Sequence, residues 1–352
     1  MVRILAAKLV FRWRSRATDL VRSEKRKDWM TFKKYLWPMV GALTIALSAW
    51  LLYKELRGLS LDDLWDSLHA IPLLHWLMAG LCTLVAYAAL AGYDRIALKH
   101  LGHRIGWRFI SICSFTTYAL SHNVGASVVS GAVVRYRAYS SQGLTPSEIG
   151  VLIAMCSFTF ILGTLLLAGL VLVYEPELIE RFGDLVPVEA SAVTGVFLLC
   201  AIVLYVVASF MKLKPLKLGS IRIFYPSPKI VFPQLLIAPI ELIGAAGIIY
   251  FALPEAGNPG FPIVLGIFLI SFSAALLSHA PGGLGVLELV FLMGLPDMNQ
   301  ADVIAALLVF RLFYLIIPFI MALVVILVFE RSQFRRNNPP DSQRDKAHQE
   351  EF

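Results

Sequence analysis

An all-α bundle of membrane-spanning helices is the fold class that this sequence predicts. Hydrophobic residues make up 58% of the 352-residue chain, charged residues only 16%, and mean hydropathy is +0.72. A soluble domain of this size needs more charge to cover its surface, so lipid is the solvent for most of the chain. The apolar residues gather in runs at 35–53, 71–98, 109–130, 149–174, 188–211, 230–253, 261–278 and 303–329. Each is close to the ~20 residues with which a helix crosses a ~30 Å hydrocarbon core. None has the strict alternation of an outer-membrane strand, so helices must satisfy the backbone.

Residues 1–34 carry eleven Lys/Arg and three acids. Apolar residues are spaced among these charges (Val2, Leu5, Leu9, Trp13), which suits a helix lying on an anionic leaflet. The segment reads equally as a disordered tail, and Met30 could also begin the protein. The apolar core and cleavage site of a signal peptide are not found. The net charge of +7 is smaller than the surplus in this tail, so no nucleic-acid partner is expected. Cys82, Cys113, Cys156 and Cys200 all fall inside apolar runs and read as buried packing thiols; no metal spacing appears.

Loop charge sets topology, because Lys and Arg concentrate in cytoplasmic loops. The basic tail is therefore inside, and the loop at 54–70, with Asp62, Asp63 and Asp66, is outside. The loop at 99–108 has three basic residues and no acid, which returns the chain inside. Residues 175–189 hold five acids and one basic residue, whereas 212–229 hold five basic residues and no acid. These belong outside and inside respectively. An even number of crossings must then separate Arg108 from Ile149, and the same holds around 261–278 if the basic residues after Phe329 are cytoplasmic. About six full crossings and two re-entrant hairpins result, at about 109–142 and 261–296, with both termini cytoplasmic. The bundle would occupy 35–329, followed by a disordered tail at 330–352.

The two hairpins also resemble each other. Ser114-Phe-Thr-Thr-Tyr-Ala-Leu-Ser-His-Asn-Val-Gly125 aligns without gaps to Ser271-Phe-Ser-Ala-Ala-Leu-Leu-Ser-His-Ala-Pro-Gly282, with six of twelve positions identical. Each leads through a polar connection into a long helix. Entered from opposite faces, they form an inverted repeat, an arrangement of secondary transporters in which broken helices meet near the midplane.

Several residues could carry chemistry. In Ser278-His-Ala-Pro-Gly-Gly-Leu-Gly-Val-Leu-Glu288, Pro281 removes a backbone donor, and Gly282, Gly283 and Gly285 weaken any helix. Unwound backbone at membrane depth must be buried in protein or line a wet cavity. A helix resuming at Val286 would offer free N–H groups to a phosphate. After the first hairpin, Arg135 and Arg137 stand with Tyr136 and Tyr139. Guanidinium forks pair with phosphate and tyrosines suit headgroup depth, although positive-inside anchoring explains either arginine as well. Glu241 and Arg311 lie within apolar runs. Glu241 or Glu288 could pair with Arg311 or contact a substrate. Asp94 and Arg95 can snorkel or pair with each other. His122 and His279 read first as hydrogen-bonded side chains at a helix break, and second as proton carriers.

The chain is similar to the flippase-like transmembrane domain of lysylphosphatidylglycerol synthases and its stand-alone bacterial inner-membrane relatives. The resemblance covers roughly 31–329 and rests on Tyr93-Asp-Arg-Ile-Ala-Leu, Ser130-Gly-Ala-Val-Val-Arg-Tyr-Arg-Ala-Tyr-Ser, His279-Ala-Pro-Gly-Gly-Leu-Gly-Val-Leu-Glu288 and Arg311-Leu-Phe-Tyr-Leu-Ile-Ile-Pro318. It implies movement of an anionic or aminoacylated phosphoglyceride across the inner membrane. The soluble synthase domain of the two-part members is not found in these residues, so no synthase or other enzyme activity is expected. Neither a nucleotide loop nor a zinc or hydrolase motif occurs. No cofactor or metal is therefore expected, and transport would run downhill or be coupled to protons. The alternative is a scaffold or regulator whose basic tail recruits a lipid-modifying enzyme.

Overall fold

In the computed structural model, the described residues are 61–124, 127–183, 188–211, 216–218, 221–223, 226–278 and 281–337. The basic tail, the run at 35–53 and residues 338–352 lie outside them. The regular structure of the described residues is helical, apart from two three-residue strands, Leu216–Leu218 and Ile221–Ile223, that pair antiparallel. Helix α1 (Leu61–Ala70) precedes α2 (Leu73–His100), α3 (Trp107–Val124), α4 (Ser127–Ser140) and α5 (Pro146–Tyr174). A 3-10 turn, Pro176–Phe182, leads to α6 (Val188–Phe210) and α7 (Pro228–Ala252). Then come α8 (Phe261–Ser278), α9 (Val286–Gly294), α10 (Gln300–Phe310), a π-helical stretch Arg311–Ile316, and α11 (Ile317–Asn337).

Six of the described helical segments are long and apolar enough to cross a membrane, Phe261–Ser278 among them. Their outer faces carry the side chains lipid requires: Leu84 is 70% exposed, Phe197 72% and Leu204 69%. In water such a surface would aggregate; in a bilayer it is the solvated one.

Between helices the contacts depend on small residues, since lipid tails offer no hydrophobic drive for association and close backbone approach must supply it. A Cβ on Gly244 of α7 would lie 3.0 Å from the Cys82 carbonyl of α2, and one on Gly195 of α6 would lie 2.9 Å from the Gly169 carbonyl of α5. Gln234 bridges three helices, donating to Thr159 at 2.8 Å and accepting from Tyr205 at 3.1 Å.

Both expected hairpins are present. In the first, Gly131 of α4 packs under Ser121 and Thr117 of α3, and Tyr139 near the end of α4 meets Phe109 near the start of α3. The two helices therefore pack antiparallel. In the second, Gly283 lies against Ala275 of α8, and Gly294 at the end of α9 lies against Ile267. Although α8 is long enough to cross, α9 returns the chain to the side it came from.

The hairpins enter from opposite ends. The first starts where α2 finishes, with Arg95 donating to the Ile105 carbonyl at 2.9 Å and His103 beside Glu148 at 3.0 Å. The second starts and finishes at the other end, where Arg181 reaches the Gly294 carbonyl and Asp297. The first end carries Lys99, Arg104 and Arg108; the second carries Asp62, Asp63, Asp66, Glu175, Glu177 and Glu180. This is the segregation of charge on which the loop reading depended.

Candidate functional site

The hairpin tips meet on the π-helical stretch Arg311–Ile316. The run at 303–329, expected as a long helix, contains this wider turn, and such bulges collect at functional positions. From the first hairpin, Asn123 Nδ2 donates to the Leu315 carbonyl at 3.1 Å and the His122 ring stacks on Tyr314 with centroids 5.2 Å apart. From the second, the Gly282 carbonyl accepts from Arg311 Nη1 at 2.9 Å. Gly282, Gly283 and Gly285 have φ of 59°, 65° and 79°, a left-handed backbone that side chains disfavour. The Pro-Gly-Gly-x-Gly segment is thus unwound where sequence placed the break, and the helix resumes at Val286 as expected.

Arg311 pairs with Glu288, its Nε donating to Oε1 at 2.7 Å and its Nη2 to the same oxygen. The expected phosphate cradle at the start of α9 is different in one respect. Glu288 Oε2 accepts from the Gly285 N–H at 2.9 Å, so a carboxylate of the protein already occupies the helix terminus. Both side chains of the pair are about one-tenth exposed. Beside them, Leu277 and Leu284 are well exposed, and Leu312 and Ile316 partly so.

Toward the basic end, the arginine expected to bind headgroups is occupied. Arg135 is 5% exposed and donates through Nη2 to Asp94 Oδ1 at 2.7 Å and through Nε to Oδ2 at 3.4 Å. Tyr139 OH donates to Oδ2 at 2.8 Å, Cys156 Sγ approaches Oδ1 at 3.3 Å, and the guanidinium lies 4.8 Å from the centroid of the Tyr118 ring. A guanidinium in a membrane interior needs a counter-charge, and Asp94 supplies it. Tyr139 is fully buried, so it faces the protein interior and not a lipid headgroup. The helical period explains the split: Arg135 and Tyr139, four apart, face inward, while Tyr136 and Arg137 lie on the exposed side. The expected pairing of Asp94 with Arg95 is also not made. Neighbours in a helix point in different directions, and Arg95 turns to Ile105 and the Trp107 ring.

Glu241, midway along α7, is 1% exposed. It accepts from Tyr314 OH at 2.7 Å on Oε1 and from Tyr93 OH at 3.3 Å on Oε2. Tyr87 OH donates to the Tyr314 carbonyl at 2.9 Å. It is Glu288 that pairs with Arg311, and not Glu241. His122 makes no hydrogen bond at its buried Nδ1 and packs between Tyr118, Phe272 and Tyr314, so its place at the break is held by ring contacts. His279 lies outside the described residues. Of the cysteines, Cys113 and Cys156 are buried and Cys82 is half-buried, but Cys200 is exposed on the apolar face of α6. No cluster able to hold a metal occurs among the described residues.

Sequence reasoning missed the tyrosines. Tyr87, Tyr93, Tyr118 and Tyr314 were visible only as apolar-run aromatics, although each has a polar end that a buried site must satisfy. Two hints were available: Tyr139 stands four residues after Arg135, and Tyr93 directly before Asp94.

The family described as lysylphosphatidylglycerol synthase TM region matches residues 40–322. The chain belongs to this family. It is 32% identical to the Synechocystis protein slr0712 over 88% of this chain and 96% of that protein. It is 29% identical to the inner membrane protein YbhN of Escherichia coli over 88% and 95%. Phosphatidylglycerol lysyltransferase of Staphylococcus haemolyticus is 27% identical over 78% of this chain, which corresponds to 32% of that enzyme. Family membership and the apolar helices together make this a multi-pass membrane protein.

Proposed function

We propose that this chain moves a phospholipid, an anionic or aminoacylated phosphoglyceride, across the bacterial inner membrane, with its basic end and both termini cytoplasmic. The observation that carries this reading is the meeting of two opposed hairpins on the Arg311–Ile316 stretch, which also carries the Arg311–Glu288 pair, next to exposed apolar side chains. A phosphate has the geometry to replace Glu288 on the Arg311 fork. The released Glu288 carboxylate would then face a headgroup amine, so an aminoacylated lipid satisfies both halves of the opened pair. Leu277, Leu284, Leu312 and Ile316 would leave the acyl chains in the bilayer while the headgroup passes the tips. Arg137 and Tyr136, on the exposed side of the first hairpin, would collect lipid at headgroup depth. The relatives' names, an inner membrane protein and phosphatidylglycerol lysyltransferases, support the membrane and the lipid class.

The test is headgroup movement in proteoliposomes containing lysylphosphatidylglycerol, followed by labelling of its amine with a reagent that cannot enter. The purified chain is expected to expose inner-leaflet lipid faster than protein-free vesicles. Arg311→Gln should slow it, and the double variant Arg311→Gln/Glu288→Gln should remain slow while keeping the fold. Failure to move lysylphosphatidylglycerol, phosphatidylglycerol, phosphatidylethanolamine or cardiolipin faster than empty vesicles rules the reading out.

A further inference from the structure

Charge inside the described bundle does not balance. Its buried charged side chains are Asp94, Glu241, Glu288, Arg135 and Arg311, three carboxylates and two guanidinium groups. Asp94 is held by Arg135 and Glu288 by Arg311. Glu241 is the remainder, and its two hydrogen-bond partners are neutral hydroxyls. A lone carboxylate in a membrane interior is costly unless something cancels its charge.

The three carboxylates also differ in what their surroundings can accept. Asp94 receives hydrogen bonds from a guanidinium, a phenol and a thiol, and Glu288 from a guanidinium and a backbone N–H. What sets these two sites apart is the guanidinium in each, a fixed positive charge that favours the ionised carboxylate. Hydroxyls donate or accept according to rotation. Tyr314 can keep donating to Glu241 Oε1 while Tyr93, 3.3 Å from Oε2, turns to accept from a protonated Oε2. The Glu241 site is satisfied with or without a proton.

We propose that Glu241 is a reversible proton-binding site that couples movement of the hairpin tips to proton flow. This rests on the translocation reading and adds its energy source. Only the Oε2–H bond forms and breaks: the proton comes from water at one face and leaves to water at the other. The connection to the tips is Tyr314, whose ring stacks on His122 of the first hairpin and meets Phe272 of the second edge-on. Other titratable groups around Glu241 are already accounted for by position. Helix α2 brings Tyr87, Tyr93 and Asp94, the last held by Arg135. Helix α5 brings Cys156, bonded to Asp94, and α6 brings Tyr205, bonded to Gln234. Arg311, one turn before Tyr314, is committed to Glu288. His122 lies beyond the Tyr314 ring, and α8 contributes Phe268 and Phe272 on this side.

Infrared difference spectra of the full chain in phosphatidylglycerol vesicles, between acid and alkaline buffer, test the site directly. The carbonyl stretch of a protonated carboxyl group is expected in the wild type, lost in Glu241→Gln and shifted in frequency in Tyr314→Phe, which removes one hydrogen bond and keeps the acid. Absence of the band, or its survival in Glu241→Gln, overturns the site. Removal of the band by sodium at constant pH replaces the proton with a metal cation and overturns it too. For coupling, an imposed pH gradient should speed lysylphosphatidylglycerol movement severalfold in the wild type and leave Glu241→Gln unchanged. A wild-type rate indifferent to the gradient overturns coupling. If the wild type moves no lipid at all, translocation fails, while the infrared band still decides Glu241.

Discussion

Arg135 and Asp94, forty-one positions apart in sequence, close at 2.7 Å and join the first hairpin to α2 at the basic end of the bundle. The pair is buried and further bonded by Tyr139, so its role is to hold the hairpin, and a headgroup would have to break it to bind there.

Removing one partner should therefore be worse than removing both. Arg135→Gln leaves Asp94 buried without its counter-charge, and about 3–5 kcal/mol of stability should be lost. The double variant Arg135→Gln/Asp94→Asn should recover much of this. Thermal unfolding in detergent, followed by fluorescence, checks both.

Arg311→Lys keeps the charge and loses the fork. A lysine cannot reach Glu288 and the Gly282 carbonyl with the three guanidinium nitrogens that now do so. Hydrogen exchange over 281–286 should accelerate while the rest of the bundle stays protected. Unchanged exchange would show that the tip does not depend on this arginine.

Gly283→Ala tests the unwound segment. Its φ of 65° disfavours any side chain by about 1–2 kcal/mol, and a Cβ would come 2.9 Å from Ala275. A lower melting temperature is expected, with a larger drop than for Gly102→Ala, whose φ is also positive but whose surroundings are open.

Cys200 and Cys156 should respond oppositely to their environment. A spin label on Cys200, with the other cysteines replaced, should collide with dissolved oxygen more than with an aqueous nickel chelate, because its helix face is lipid-exposed. Cys156, packed against Asp94, should resist labelling in the folded protein.

Much of the architecture was legible in the sequence, for physical reasons that are local. Run length and loop charge depend on composition alone, and the all-α membrane bundle they called for is the one formed. Pro281 and its glycines marked the break because they act on their own backbone. The partners of Arg135 and Arg311 were not legible in the same way. A salt bridge between helices depends on which faces meet, and hydropathy is silent on that when a helix is apolar all round. The tyrosines were hidden for a related reason: a hydropathy scale records the ring, whereas the site uses the hydroxyl. The π-helical stretch did leave one local mark, Pro318, which has no N–H to give to the Tyr314 carbonyl four residues before it.

That stretch receives three contacts from three different parts of the chain. Tyr87 donates to the Tyr314 carbonyl, Asn123 to the Leu315 carbonyl, and Arg311 itself reaches Gly282. Tightening its wide turn to an ordinary α-turn would rotate α11 by about 100° relative to α10, one residue's worth of helix. No such rotation could preserve all three contacts together. Six residues thus act as a shared axle for two hairpins rooted at opposite ends of the bundle, and neither can change its seat there without the other registering it.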